Sequence, residues 1–201
     1  MKVYLAPLLW AAEKYLRYNP SFICSDKNPL LHQTELVAKS LFLKPTRMLI
    51  ADVIGLGKTI TALRLLKTLD RYKRLGRVLI AVPSVLVDQW IDEMKSMGIM
   101  PNTIERNSLD FLAKHQVLPA GWYIGSIDTL KQPAYMEILK KSKWDAIVVD
   151  EVHKLGIVGR EPNLRWLYLG ELIRSNRDAV ILLLSATPHR GKANDYLARL
   201  A

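Results

Sequence analysis

Cysteine is almost absent. The 201-residue chain has one, Cys24, so no disulfide can form within it. No two cysteines stand at metal-ligand spacing and the four histidines are scattered, which argues against a structural zinc site. Long apolar runs are missing too. The stretch from Met1 to Ala12 carries Pro7 and soon meets Glu13, Lys14 and Arg17. It is too short to span a bilayer and reads as a packing helix rather than a signal peptide. No internal repeat or low-complexity tract is present. Acidic residues are in deficit, 19 against 29 Lys and Arg, which gives a net charge of +10 and a pI near 9.7. That balance points to a polyanionic partner, nucleic acid first. The expected compartment is reducing and cytoplasmic, nucleoid-associated if the source is prokaryotic.

What is present is a core. Half of the residues are hydrophobic, enough for one α/β domain. Met48 to Ala51 reads as a buried strand. A loop with Gly55, Leu56, Gly57, Lys58 and Thr59 follows, and the chain then runs into a helix from Ile60 to Leu66. Strand, glycine-spaced loop with Gly-Lys-Thr, then helix is a phosphate-binding arrangement. The glycines let backbone N–H groups close around phosphate oxygens. The helix directs its positive end at the same anion. Lys58 adds a point charge for the β- and γ-phosphates, and the Thr59 hydroxyl suits Mg²⁺. The strict pattern has Gly six positions before the lysine, where this chain has Asp52.

Further strands follow. Arg77 to Pro83 is a continuous apolar run, as expected of a parallel strand buried on both faces. It leads through Ser84 into a helix from Val85 to Met97, where Trp90 reads as core. The basic stretch from Lys67 to Arg77 reads as a solvated helix face. Thr103 to Leu118 fits a short strand and a helix. Gly121 to Ile124 is a strand, after which Ser126 and Asp128 suit helix capping. Trp144 to Val149 is an apolar strand that delivers two carboxylates, Asp150 and Glu151, at its C-terminal end, the edge where open parallel sheets bind ligands. Adjacent residues point to different sides, so Asp150 can hold Mg²⁺ while Glu151 takes the proton from an attacking water. Residues 154–162 read as a loop, with Glu161-Pro162 starting a helix that runs from Asn163 to Arg174. Ala179 to Leu184 is another buried strand, ending in Ser185-Ala186-Thr187, and Lys192 to Leu200 closes the chain as a helix.

In this order, Ala51-Asp52-x-x-Gly55-x-Gly57-Lys58-Thr59, Asp150-Glu151-Val152-His153 and Ser185-Ala186-Thr187-Pro188-His189-Arg190-Gly191 resemble motifs I, II and III of superfamily 2 helicases and translocases. They are most similar to the Swi/Snf-type branch, from which Val53 departs, since that branch has an acid there. The resemblance implies a three-layer α/β fold: the first RecA-like ATP-binding lobe over residues 31–201, with a mainly parallel sheet flanked by helices, after a helix (Pro7 to Tyr18) and linker in residues 1–30. It implies that Gln33, just ahead of a helix from Thr34 to Leu43, reads adenine. Gly55, Leu56, Gly57, Lys58, Thr59 and Ile60 would bind the nucleotide, with Lys58, Asp150 and Glu151 catalytic and Thr59 and Asp150 on Mg²⁺. Pro83 and Ser84 match motif Ia and Ser126 motif Ib, so with Thr187 they would touch the nucleic-acid backbone. His153, Ser185 and Thr187 would couple hydrolysis to movement.

The function so implied is a nucleic-acid-dependent ATPase using ATP and Mg²⁺, with double-stranded DNA favoured over RNA. A second RecA-like lobe, in cis or in trans, would supply arginine fingers, since Arg160, Arg165 and Arg190 match no finger position. Without that lobe hydrolysis is expected to be weak. The competing readings are a non-catalytic interaction module and the motor fragment of a restriction or defence complex.

Overall fold

A computed structural model describes residues 10, 14, 36–37, 39–41, 46–51, 57–73, 75–108, 117–152, 157–158, 161–162 and 164–185. Among them the main sheet has six strands: β1 (Arg47–Ala51), β2 (Arg77–Val82), β3 (Asn102–Ile104), β4 (Gly121–Ser126), β5 (Ala146–Val149) and, after a two-stranded hairpin of β6 (Ile157–Val158) and β7 (Glu161–Pro162), β8 (Val180–Ser185). Their spatial order is β1-β8-β5-β2-β4-β3, and every pairing is parallel.

The apolar runs explain why these segments are strands. Val78 to Val82 and Ala146 to Val149 are all buried, because both faces of the sheet are covered. Alternate residues feed two cores. Val78, Ile80, Val148 and Leu182 pack under α1 (Lys58–Lys73) and α2 (Val87–Ser96), against Leu63, Leu66, Leu69, Trp90 and Met94. Leu79, Ala81, Ile147 and Leu183 pack under α3 (Ile127–Leu130), α4 (Pro133–Lys141) and α5 (Leu164–Ser175), against Leu130, Tyr135, Leu139 and Leu172. The result is the expected α/β/α layering. Of the expected helix from Thr34 to Leu43, residues 36–37 and 39–41 are described, and they are helical. The helices expected over Pro7 to Tyr18 and Lys192 to Leu200 lie outside the described residues, apart from Trp10 and Lys14, both helical.

Several boundaries depart from the expectation. The first helix begins at Lys58, two residues before Ile60. The segment after β2 does not enter an α-helix at Val85. Pro83 sits at φ −57°, ψ 145°, an extended conformation, and a 3₁₀ turn over Ser84–Leu86 precedes α2. Glu161-Pro162 does not start a helix. It pairs antiparallel with Ile157 and Val158, where a proline without an N–H is tolerated at a ribbon edge, and α5 begins at Leu164. The helix start expected after Ser126 is a single turn, α3, followed by a separate α4 with a proline in its first turn.

Candidate nucleotide site

Because the strands are parallel, their C-terminal ends share one edge. Register places Ala51 beside Ser185, Val82 beside Ser126 and Ala81 beside Val149, the last residue before Asp150. At this edge Gly57 stands immediately ahead of α1 with φ 75°, the left-handed region that favours glycine. Its carbonyl accepts hydrogen bonds from the Thr61 N–H at 2.8 Å and the Thr61 hydroxyl at 3.0 Å. Those two bonds close the first helical turn. Lys58, Thr59 and Ile60 open the helix, each half-buried. No acidic side chain lies in that turn, so no acid of the helix itself competes with an anion for its positive end.

Asp150 is 4% exposed. Its N–H donates to the Ala81 carbonyl at 2.9 Å, which keeps the chain against β2 for one residue beyond β5. Each carboxylate oxygen has a donor. The Trp90 indole N–H reaches Oδ2 at 3.0 Å, and the Glu151 backbone N–H reaches Oδ1 at 2.7 Å. Burial pushes the Asp150 carboxyl above the usual carboxylate range. The bonds from Trp90 and Glu151 pull it down, the neighbouring Glu151 charge raises it and the Lys58 ammonium lowers it, but burial wins. Glu151, the second carboxylate, sits at φ 53°. For a residue with a side chain that conformation costs roughly 1–3 kcal/mol, and such strain clusters at functional sites.

The donor set fits a hard cation. Each oxygen of Asp150 keeps a lone pair beyond the one used, burial disfavours its bare charge, and Thr59 lies in the first turn of α1. Among the described residues no group of three or more His, Cys, Asp or Glu could hold a metal. An ion here would therefore complete its shell with water and phosphate oxygens, as Mg²⁺ does.

Three further candidates among the described residues, Ser84, Ser126 and Ser185, follow or end strands at the same edge. Ser84 is exposed on the 3₁₀ turn after Pro83. Ser126 caps α3: its Oγ accepts from the Thr129 N–H at 3.0 Å and pairs with the Thr129 hydroxyl at 2.8 Å. Ser185 is fully buried at the end of β8. Gln33, Gly55, Leu56, His153 and Thr187, together with Asp52 and Val53, lie outside the described residues. Two contributors escaped the sequence reading. Trp90 is in the core, as expected, yet its N–H serves Asp150. A signal existed, since a buried indole N–H needs an acceptor. Thr61, which ties down Gly57, had none beyond its place one turn into the helix.

This architecture has relatives. The family described as "Type III restriction enzyme, res subunit" matches residues 26–190. The chain is 30% identical over 178 residues to the uncharacterized ATP-dependent helicase YqhH of Bacillus subtilis, covering 89% of this chain and 29% of that protein. It is 32% identical over 167 residues to the RNA polymerase-associated protein RapA of Actinobacillus pleuropneumoniae serotype 3, covering 77% of this chain and 17% of that one. It therefore spans less than a third of either relative. Among solved structures it resembles the Sulfolobus solfataricus SWI2/SNF2 ATPase core in complex with dsDNA, with TM-score 0.61 and 16% identity over 82% of this chain and 33% of that one. It also resembles the UvsW helicase from bacteriophage T4, with TM-score 0.60 and 20% identity over 86% of this chain and 57% of that one. With the parallel sheet, the Gly-Lys-Thr helix start and the Asp-Glu strand end at one edge, and with a fold shared with RecA-like ATPase cores, the chain belongs to the family described as Type III restriction enzyme, res subunit.

Proposed function

We propose that this chain binds Mg-ATP across the N-terminus of α1 and the end of β5, and that its parent protein uses ATP hydrolysis to move along nucleic acid. The observation that carries this is that Lys58, first residue of a helix without acidic residues in its first turn, stands near enough to the buried Asp150 for its charge to favour the carboxylate. Packing has no use for a carboxylate buried there, and a cationic phosphate site does.

In this reading the α1 N–H groups and Lys58 take the β- and γ-phosphates. Magnesium, held by Thr59 and Asp150, supplies charge neutralisation on the phosphoryl oxygens when bound. Glu151 accepts the proton of the attacking water. Gln33 selects adenine, and His153, Ser185 and Thr187 relay the state of the site. Pro83, Ser84, Ser126 and Thr187 grip the sugar-phosphate backbone, so binding is salt-sensitive and blind to base sequence. Double-stranded DNA is the favoured track, in line with the dsDNA complex of the Sulfolobus core, and a second RecA-like lobe completes the machine. Among the described residues no helix is long and apolar enough to cross a membrane, and the cytoplasm is the compartment that fits. The intact Lys58 and Asp150-Glu151 set weighs against a purely non-catalytic module.

Titration with a fluorescent ATP analogue and Mg²⁺, alongside Lys58→Ala, tests the reading. Saturable binding that the variant loses is the expected result. Equal binding by both proteins would remove the phosphate site from this helix.

A further inference from the structure

Trp90 lies in the first turn of α2 and is fully buried, sharing its core with Val82 and Val148. Leu or Phe would fill such a volume. What only the indole adds is one N–H that can donate and cannot accept. A buried indole most easily finds a backbone carbonyl. Here it donates to a side-chain carboxylate sixty residues along the chain, Oδ2 of Asp150 at 3.0 Å.

That bond is one of two. The Glu151 N–H holds Oδ1 at 2.7 Å, so the carboxylate is pinned at both oxygens by donors from two separate parts of the fold. Two pinned oxygens fix both side-chain torsions of Asp150. With the indole donor removed, Oδ2 would be left unsatisfied in a group only 4% exposed. A buried anionic oxygen without a donor is costly enough to rotate toward water. We infer, on the basis of the nucleotide reading above, that Trp90 is a positioning residue: its indole N–H fixes the Asp150 carboxylate in the orientation in which it takes part in magnesium binding.

The test uses two replacements at position 90 in the intact chain: Trp90→Phe, and benzothienylalanine, which has the shape of tryptophan with sulfur in place of the N–H. Nucleotide binding is titrated at a series of Mg²⁺ concentrations, and each variant is crystallised without ligand. The half-saturating Mg²⁺ concentration is expected to rise roughly tenfold in both variants, the usual effect of removing a partner that orients a metal ligand. Nucleotide affinity without Mg²⁺ should stay at the wild-type value. In the crystals the Asp150 side chain should leave its wild-type position. Equal losses with and without Mg²⁺, or an unmoved carboxylate, would overturn the inference and leave Trp90 a packing residue. Absence of nucleotide binding in the wild type would instead sink the nucleotide reading, and the ligand-free crystals alone would then decide whether Trp90 orients Asp150.

Discussion

Trp90 and Asp150 meet at 3.0 Å across sixty residues of chain, and the bond does not make the carboxylate comfortable. Burial still holds the Asp150 carboxyl above its ordinary range. The folded protein therefore keeps this proton to higher pH than the unfolded chain does. The contribution to stability is fully present below the unfolded carboxylate value and is lost as pH climbs through the raised one. Asp150→Asn cannot titrate. Without metal, the stability of this variant relative to wild type should grow as pH rises above about 4, the range of an unperturbed aspartate. Urea unfolding at several pH values measures it, and a difference that shrinks with pH would contradict the burial argument.

Glu151 carries a different cost. At φ 53° any side chain is strained and glycine is not. Glu151→Gly should therefore be more stable than Glu151→Ala by about 1 kcal/mol, the penalty of a Cβ in the left-handed region. Thermal melts of the pair decide it, and equal stabilities would mean that the backbone relaxes in solution. Glu151→Gln should keep nucleotide binding while losing hydrolysis in the parent protein, because the amide cannot take a proton from water.

Much of this was legible in the residues. Strands β2, β5 and β8 are unbroken apolar runs, and a parallel sheet brings their ends to one edge whatever the strand order. Lys58 and Asp150 could thus be expected at the same site. That Trp90 belongs to the core is legible in the sequence, but the sequence carries no information about a bond between partners sixty residues apart. The backbone of Glu151 left no trace either, because only glycine or asparagine advertises a positive φ. The β6–β7 hairpin has two residues per strand, too short for any alternation, and Glu161-Pro162 mimics a helix start.

Gly57 makes the phosphate reading testable through the backbone alone. Its φ of 75° and its carbonyl, which takes both the N–H and the hydroxyl of Thr61, leave no room for adjustment without opening the first turn of α1. Gly57→Ala should cost about 1–2 kcal/mol of stability and weaken nucleotide binding as well. Thr61→Val, which removes the hydroxyl bond but keeps the N–H bond, should weaken it less. Calorimetric titration of both variants checks the order, and a Gly57→Ala protein with wild-type affinity would place the phosphates elsewhere.

The two serines at the nucleic-acid edge should behave differently, for a local reason. Ser84 is exposed on a 3₁₀ turn with no side-chain cap bond, so Ser84→Asp adds a charge without removing any hydrogen bond described there. Ser126 caps α3 through the Thr129 N–H, so Ser126→Ala should cost about 1 kcal/mol of stability, the usual price of a lost N-cap. Aspartate can replace serine as a cap, so Ser126→Asp should stay folded while placing a negative charge beside the end of β2, the strand that leads to Ser84. If the backbone of nucleic acid lies on this edge, both aspartates weaken binding uniformly across sequences, and the loss is greatest at low salt, where the added repulsion is least screened. Binding isotherms on two unrelated duplexes at several salt concentrations measure this. A loss confined to one duplex would mean base contacts, and no loss at low salt would put the track on another face.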